Sequence, residues 1–177
     1  GRDTLLFEGA LDRNDGSKIA WSPDSKWLAF GVTDRKSFRN AWVVPATGGE
    51  AKPISFLANG STSDQIAWSS DGKYIVFARA KAHQTKSINQ QNTGLLDGSD
   101  VPEFTIEKQR FRYDLYRIPF NDGKGGVPEP LEGASGNGLS NFFPKYSPDG
   151  KWIVFCKADS YMLLQPDSEL YIIPADG

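Results

Sequence analysis

Three copies of one phrase constrain this chain more than any other feature of its sequence. The copies read IAWSPDSKWLAFGV at residues 19–32, IAWSSDGKYIVFAR at 66–79 and PKYSPDGKWIVFCK at 144–157. A repeat of this kind is typical of architectures in which one supersecondary unit stacks against copies of itself. The sequence therefore predicts a repeat fold before it indicates any activity.

Each copy has the pattern of a β-hairpin. A short apolar strand ends at an aromatic residue, a polar turn of four residues follows, and a second strand runs up to a phenylalanine. Proline presets the backbone angle of the second turn residue, aspartate accepts hydrogen bonds from nearby backbone N–H groups, and glycine tolerates a positive φ. We therefore assign Asp24, Asp71 and Asp149 a structural role in the repeated turns, rather than a role in a carboxylate cluster.

Further strands follow each hairpin. A third strand is predicted in NAWVVPATGG (40–49), YDLYRIPFNDG (113–123) and ELYIIPADG (169–177), and a fourth in AKPISFL (51–57) and VPEPLEG (127–133). Each third strand reaches a proline, which lacks a backbone donor, and then a glycine-bearing reversal. Without convincing helical periodicity, these segments predict an all-β fold in which each repeat is a β-propeller blade of four antiparallel strands.

The spacing of the repeats locates one irregularity. Asp24 and Asp71 are 47 residues apart, whereas Asp71 and Asp149 are 78 apart. The second blade therefore carries about 31 extra residues. This insertion is predicted at about residues 81–111, between the second and third strands, and long insertions of this kind are usually functional or disordered.

The same spacing divides the whole chain into blades. A shift of 47 places lays residues 5–7 over residues 52–54, in the fourth strand of the first blade. We therefore expect residues 1–10 to form the outer strand of another blade. Blade 1 is expected at 11–57, blade 2 at 58–133, and blade 3, without its outer strand, at 134–177.

Three blades form an open arc, because propellers have about four to eight. Each end of the arc would expose an apolar face of about 400 Å² or more, the size that indicates a missing partner. The remaining blades belong either to a longer chain or to a second copy, which would complete a six-bladed ring as a homodimer. We expect the longer chain, because Gly177 falls inside a predicted turn.

Composition narrows the classes of partner. The net charge of −2 shows no excess of basic residues that would indicate nucleic-acid binding. The sequence also has no run of about 18 apolar residues, the length that would predict a membrane span. Cys156, the one cysteine, cannot form an internal disulfide, and we expect it to be a small buried apolar residue.

The repeated turn resembles the signature of the WD40-like repeat family PD40, Ser-Pro-Asp-Gly-Lys followed by a strand ending in Phe. Ser25 in place of glycine and Ser70 in place of proline depart from it. PD40 repeats build TolB-type propellers, and NAWVVPATGGEAKPISFLAN (40–59) also resembles the propellers that precede the catalytic part of tricorn-type peptidases. The resemblance implies a recognition platform or substrate gate. It also implies a periplasmic or otherwise extracytoplasmic location.

No catalytic, metal or cofactor site is predicted. His83, the one histidine, lies in the insertion among basic residues, and the chain has no GxSxG elbow. The acidic segments 11–18 and 96–103 lack the alternating carboxylates of an EF-hand loop, and NDGKGG at 121–126 opens no helix that would cradle a phosphate. We expect neither enzymatic activity nor a bound cofactor.

A binding surface is predicted at the end of the blades that carries the insertion. Three interblade loops, at 8–17, 57–64 and 132–141, share this end and are rich in Gly, Ser and Asn. Residues 133–138 within the last of them are expected to form a mobile loop.

The insertion supplies the candidate partner-binding residues. Cations alternate with aromatic residues near its end, and the full set is His83, Lys108, Arg110, Phe111, Arg112 and Tyr113. One interpretation is a docking strip for an acidic peptide or a sugar, and the other is an edge strand protected by charge.

The favoured function is a non-catalytic module that binds a protein or peptide through this face. The alternative is a non-catalytic, substrate-gating propeller of a tricorn-type or related serine peptidase, with the catalytic domain on sequence outside this chain. Hydrolytic activity of the chain itself is the third hypothesis.

Overall fold

The computed structural model describes residues 3–9, 19–33, 39–55, 61–81, 112–160 and 167–176. The strands in these ranges form three antiparallel sheets. Blade 1 consists of β1 (Ala20–Trp21), β2 (Trp27–Thr33), β3 (Arg39–Pro45) and β4 (Lys52–Pro53). Blade 2 consists of β5 (Ser61–Trp68), β6 (Tyr74–Lys81), β7 (Tyr113–Pro119) and β8 (Glu129–Pro130). Blade 3 consists of β9 (Ser140–Tyr146), β10 (Trp152–Ala158) and β11 (Glu169–Pro174).

Strands that follow each other in sequence are neighbours within each blade. Blades 1 and 2 have four antiparallel strands, and the described part of blade 3 has three. A short 3-10 helix, Asn121–Gly123, interrupts the connection from β7 to β8. The predicted all-β fold of antiparallel blades is confirmed.

The repeated turns share one set of hydrogen bonds. In blade 1 the Ser22 hydroxyl donates to Asp24 Oδ1 at 2.7 Å, and the Lys26 backbone N–H donates to the same oxygen at 3.1 Å. The Trp27 N–H donates to Ser22 Oγ at 2.9 Å. The same three bonds recur in blade 2 (Ser69, Asp71, Lys73 and Tyr74) and in blade 3 (Ser147, Asp149, Lys151 and Trp152).

These bonds favour the ionised carboxylate. The serine hydroxyl and then the backbone N–H lower the pKa of Asp24 and of Asp149. At Asp71, partial burial acts to raise the pKa, but the bonds from Lys73 and Ser69 outweigh it and leave the pKa lowered.

Blade 1 packs against blade 2 through one apolar cluster. Small residues of blade 1, Ala29 and Ala41, face large ones of blade 2, Phe77 and Ile118, and all are buried. Alanine on one side lets the two sheets approach closely while the larger side chains fill the space between them. The Phe120 ring packs edge-on against the Trp27 ring of blade 1, with 5.1 Å between centroids.

Blade 2 packs against blade 3 in the same way. Ala78, Leu115 and Leu131 of blade 2 face Ile153 and Phe155 of blade 3. Tyr146, in the same cluster, has its pKa raised to about 12 by burial. Blade 2 therefore uses one face of its sheet, the previous-blade face, for blade 1 and the opposite, next-blade face for blade 3. The equivalent faces of blades 1 and 3 are given the same names.

Residues 3–9 lie on the previous-blade face of blade 1. Leu6 and Phe7 pack against the cluster that contains Leu28 and Phe30. The Phe7 ring centroid is 5.1 Å from that of Phe30 and 5.9 Å from that of Trp42. No strand is assigned within residues 3–9, so their role as the outer strand of another blade stays a prediction.

Two expectations need correction. The predicted loops 57–64 and 132–141 are shorter, because β5 begins at Ser61 and β9 at Ser140. Both strands start with polar residues, and backbone pairing with the neighbouring strand does not require apolar side chains. Cys156 is half-buried instead of buried, since no other blade packs on the next-blade face of blade 3 within the described residues.

Candidate functional site

The insertion leaves the blades at the end where β6 finishes and β7 begins. The pairing of Ala80 with Tyr113 places these strand ends side by side, and the pairing of Lys157 with Asn141 and Glu169 brings three strand ends of blade 3 together. We define the insertion face as the described residues at this end. They are residues 79–81, 112–114, 132–141, 157–160 and 169–171.

Two of the six predicted partner-binding residues lie in the described part of this face. Arg112 is exposed and stands directly before β7, and Tyr113 is the half-buried first residue of that strand. His83, Lys108, Arg110 and Phe111 lie outside the described residues. β7 lies between β6 and β8; Tyr113 pairs with Ala80 of β6, whereas the pairing with β8 covers Tyr116 and Arg117.

The loop at 132–139 is bonded to the start of β7. The Ser135 hydroxyl donates to the Leu115 carbonyl, and the Gly136 N–H donates to Asp114 Oδ1 at 2.9 Å. These bonds hold the loop in one conformation, whereas its glycines and serine predicted a mobile connection. The expectation of mobility for residues 133–138 is therefore corrected.

A buried asparagine continues this network into blade 3. Asn141, fully buried at the start of β9, donates through Nδ2 to the carbonyls of Tyr113 and Leu139, each at 3.2 Å. The side-chain amides of Asn137 and Asn141 also bond to each other. The Tyr113 N–H donates to Ser140 Oγ at 3.2 Å. The loop, β7 and β9 therefore form one rigid base, above which Asn137 and its neighbouring glycines are exposed.

Two cation–aromatic pairs occur at the same repeat position in blades 2 and 3. The Arg79 guanidinium lies 5.0 Å from the centre of the Tyr116 ring, and Lys157 Nζ lies 4.0 Å from the centre of the Tyr171 ring. Lys157 Nζ also donates to the Gly133 carbonyl at 3.4 Å. Such pairs contribute about 0.5–1 kcal/mol each at exposed sites.

The sequence analysis did not identify these pairs as part of the face. The available signal was position, because each cation stands two residues after the phenylalanine of its repeat. Blade 1 has Val32 at the same position, so a cation occurs there in only two of the three repeats.

The charges on the described face are mixed. The exposed Asp159 and Glu169 stand near Lys157, and the Tyr171 hydroxyl donates to Glu169 Oε2 at 2.6 Å. This bond, together with the charge of Glu169, raises the pKa of Tyr171. A surface of both signs suits a polypeptide partner that carries complementary charges.

Metal-binding and membrane-spanning features were also considered. Within the described ranges, no three His, Cys, Asp or Glu side chains are grouped closely enough to hold a metal ion. In the same part of the chain, no helix has the length and apolar character needed to cross a bilayer.

Comparisons with known proteins bear on the fold. No family profile matches this chain, and no curated protein matches it either. A putative TolB from Agrobacterium tumefaciens superposes with a TM-score of 0.55 at 22% identity, over 92% of this chain and 43% of that structure. TolB from Acinetobacter baumannii gives 0.53 at 16% identity, over 96% of this chain and 31% of that structure. An acylaminoacyl peptidase from Pyrococcus horikoshii superposes with a TM-score of 0.48 at 17% identity, over 89% of this chain and 23% of that structure.

This chain spans less than half the length of these solved structures. Identities below 25% establish the fold alone, and membership of the PD40 family stays a prediction. With the sheets and interfaces above, the comparisons show that the chain has a TolB-like β-propeller fold.

Proposed function

We propose that this chain is a non-catalytic propeller module that binds a protein or peptide through the insertion face. The observation that carries the proposal is the bonded loop at 132–139. Its backbone is fixed by Asp114 and Leu115 while Gly136, Asn137 and Gly138 remain exposed. A recognition loop that is already ordered loses less conformational entropy on binding.

The opposite end of the blades supports this choice of face. There, the connection after β7 is used for packing between blades. Phe120 lies between Trp27 and Trp68, and the backbone of Gly125 approaches the Ile54 carbonyl so closely that a side chain would collide with it. These groups are occupied by intramolecular contacts, so they are not available to a partner.

The composition of the insertion face favours a polypeptide partner. Gly136, Asn137 and Gly138 are exposed, while Arg112 and Lys157 add cations beside the anionic Asp159. Peptide recognition commonly combines adaptable polar loops with a few charged and aromatic contacts. We propose that Lys108, Arg110 and Phe111 extend the same surface into the insertion.

A deletion tests the proposal directly. Lys81 ends β6 and Arg112 stands directly before β7, its paired neighbour, so an Asn-Gly turn can join them in place of residues 82–111 without altering the blade. The chain and the deletion variant are immobilised and exposed to extract from the native organism, and the partner recovered by the intact chain is quantified. We expect the deletion to abolish recovery while the far-UV circular dichroism of a β protein is retained.

Point variants separate the face from general charge effects. Arg112→Glu should weaken binding of the recovered partner about tenfold or more. The matched control is Lys124→Glu, which makes the same change at an exposed position at the other end of the blades and should leave binding unchanged. Equal recovery by the deletion variant, or equal loss in both point variants, would contradict the proposal.

The gating alternative makes a different prediction about the native gene. A peptidase domain downstream in the full reading frame would favour a substrate gate, whereas further blades would favour a scaffold. Activity of the isolated chain against peptide substrates would support the hydrolytic hypothesis and contradict both non-catalytic ones.

We further propose a periplasmic or otherwise extracytoplasmic location, on the resemblance of the repeated turns to those of TolB-type propellers. Fractionation of the native organism, with antibody detection of the protein, tests this location. Recovery in the cytoplasmic fraction alone would contradict it.

A further inference from the structure

The exposed part of the loop at 132–139 carries an asparagine followed by a glycine, Asn137 and Gly138. In such a pair the backbone nitrogen of the glycine can add to Cγ of the asparagine, because glycine has no side chain to block the approach. A second pair, Asn59 and Gly60, lies outside the described residues. The groups around Asn137 therefore decide how readily this reaction takes place in the folded loop.

Two N–H donors hold the side-chain carbonyl of Asn137. The Leu139 backbone N–H and Asn141 Nδ2 each donate to Asn137 Oδ1 at 3.1 Å. Asn141 is fully buried and also donates to the carbonyls of Tyr113 and Leu139, so its amide has a fixed position. Two fixed donors at this distance form an oxyanion hole, which stabilises the negative charge that develops on a carbonyl oxygen when a nucleophile adds.

The amide nitrogen of Asn137 faces two acceptors. Asn137 Nδ2 donates to Asn141 Oδ1 at 3.0 Å and to the Gly133 carbonyl at 3.2 Å. This nitrogen must gain a proton before it can leave as ammonia, and it becomes positively charged as it does so. A hydrogen bond from a charged donor is stronger than one from a neutral donor, so both acceptors favour its departure.

The attacking nitrogen belongs to Gly138. Within the described part of the chain, the Gly138 N–H donates to no acceptor, whereas the N–H of Leu139 donates to Asn137 Oδ1. The Gly138 nitrogen therefore loses no hydrogen bond when it attacks Cγ. Because this nitrogen must give up its proton, the reaction should be faster at higher pH.

We propose that Asn137 and Gly138 form a self-modification site, at which the folded loop promotes conversion of the Asn137 side-chain amide to a carboxylate. Gly138 N bonds to Asn137 Cγ and releases its proton to solvent. The Cγ–Nδ2 bond then breaks, and Nδ2 takes protons from water and leaves as ammonia. Water opens the resulting cyclic imide at either of its carbonyls, which gives an aspartate or an isoaspartate linkage without any oxidant or reductant.

The product changes the insertion face. A carboxylate accepts hydrogen bonds but donates none, so the Gly133 carbonyl and Asn141 Oδ1 lose the donor that Asn137 supplied. Lys157 Nζ bonds to the same Gly133 carbonyl at 3.4 Å, so the new negative charge would stand beside this cation. An isoaspartate linkage also lengthens the backbone of the loop. Any effect of these changes on a partner rests on the function proposed above.

The rate of the reaction in the folded and unfolded chain tests the proposal. The full chain, folded or unfolded in guanidinium chloride, is held in one mildly alkaline buffer. Mass spectrometry of the peptide that contains residue 137 then measures loss of the amide, and an isoaspartate methyltransferase detects the second product. We expect Asn137 to react about tenfold faster or more in the folded chain, because the two donors surround Oδ1 only there. An equal or slower rate in the folded chain would overturn the proposal.

The second Asn-Gly pair serves as an internal reference. In the unfolded chain Asn59 and Asn137 should react at similar rates, because neither has neighbours fixed by the fold. The folded-to-unfolded comparison at Asn137 needs no variant, so it does not depend on whether a substituted chain folds.

Two variants separate the oxyanion hole from general order in the loop. Asn141→Leu removes one donor at a similar volume and should slow the reaction at Asn137 about tenfold or more. The matched control, Ser135→Ala, removes the bond to the Leu115 carbonyl that orders the same loop, but leaves both donors in place and should leave the rate unchanged. Far-UV circular dichroism checks that both variants fold. Equal slowing in both would contradict the role of the donors, and since no measurement here uses a partner, this result would leave the proposed function unaffected.

Discussion

The hydroxyl of Ser70 donates a hydrogen bond of 2.6 Å to the backbone carbonyl of Ser147 and joins the repeated turn of blade 2 to that of blade 3. A side chain on Gly150 would begin 3.3 Å from Ser70 Cβ. In the preceding pair of blades Pro23 stands in the same place, with its Cδ 3.8 Å from where a side chain on Gly72 would begin. The second turn residue of one blade therefore packs on the turn glycine of the next.

Ser70→Ala should destabilise the chain by about 1 kcal/mol, because it removes one partly buried hydrogen bond between blades. Urea unfolding followed by tryptophan fluorescence measures the change. Ser168→Ala, at an exposed position outside the turns, should change the free energy of unfolding by less than about 0.5 kcal/mol. Equal values for the two variants would show that the bond between the turns contributes nothing.

Ser25→Gly should stabilise the chain by up to about 1 kcal/mol. Ser25 has a φ of 60°, in the left-handed region that glycine adopts without a steric penalty. Its repeat equivalents are Gly72 and Gly150, which both have a φ of 72°. The reverse change, Gly72→Ser, should destabilise the chain, and stabilisation by both substitutions would contradict this explanation.

Gly125→Ala should cost about 1–3 kcal/mol more than Gly136→Ala. Both glycines have a φ of 66°, so both variants carry the same backbone penalty. Only at Gly125 would the new side chain collide, since its Cβ would lie closer to the Ile54 carbonyl of blade 1 than van der Waals contact allows. Thermal or urea unfolding measures the loss of stability in each variant, and the difference between the two losses is the cost of the collision between blades. Equal losses would argue against this close approach.

Acid should weaken the repeated turns. Bonds from the Ser147 hydroxyl and the Lys151 N–H lower the pKa of Asp149 below its usual 3.8. A carboxyl with a lowered pKa in the folded state contributes stability above its unfolded pKa and loses it as the pH falls through the folded value. The free energy of unfolding should therefore fall as the pH drops below about 4, and fall less in Asp149→Asn, whose amide stays neutral.

Urea unfolding at about pH 6 and about pH 3 gives the loss in free energy of unfolding for the unmodified chain and for Asp149→Asn. Lys26→Gln serves as a control for a change of charge in a repeated turn, because Lys26 is exposed there. An identical loss of stability in the unmodified chain and in Asp149→Asn would exclude a contribution from this carboxyl.

The repeated turn made most of the fold predictable. Each turn bonds its own aspartate, so the hairpins form from local sequence, and the proline at the end of each third strand marks where pairing stops. The 47-residue repeat also predicts an outer strand at residues 5–7, because stacked repeats put equivalent residues in equivalent contacts, and this stays a prediction.

Other features depend on contacts between blades and have no local signature. Gln65 and Phe143 both have a positive φ, at 54° and 55°, at the same position of the inner strand. The Phe143 N–H donates to Gln65 Oε1 at 2.6 Å, and the pairing register shifts beside each residue. Neither side chain favours this conformation on its own, so no sequence rule predicted the two β-bulges.

The candidate site was less predictable for the same reason. Arg112 and Tyr113 were found because cations alternate with aromatic residues along the chain. Lys157 was not, because its contacts with Tyr171 and Gly133 join residues that are distant in sequence. The hydrogen bonds that order residues 132–139 come from β7 and β9, which a linear reading of glycine, serine and asparagine cannot supply.

The stacking of separate blades underlies the insertion face and each interblade prediction above. A double-mutant cycle on Trp27 of blade 1 and Phe120 of blade 2, with each residue changed to Leu, tests it most directly. Edge-on packing of these rings predicts a coupling energy of about 0.5–1.5 kcal/mol in urea unfolding, while Trp27 and Tyr171 of blade 3 should be additive within about 0.5 kcal/mol. Additivity of Trp27 and Phe120 would contradict the stacked arrangement of blades.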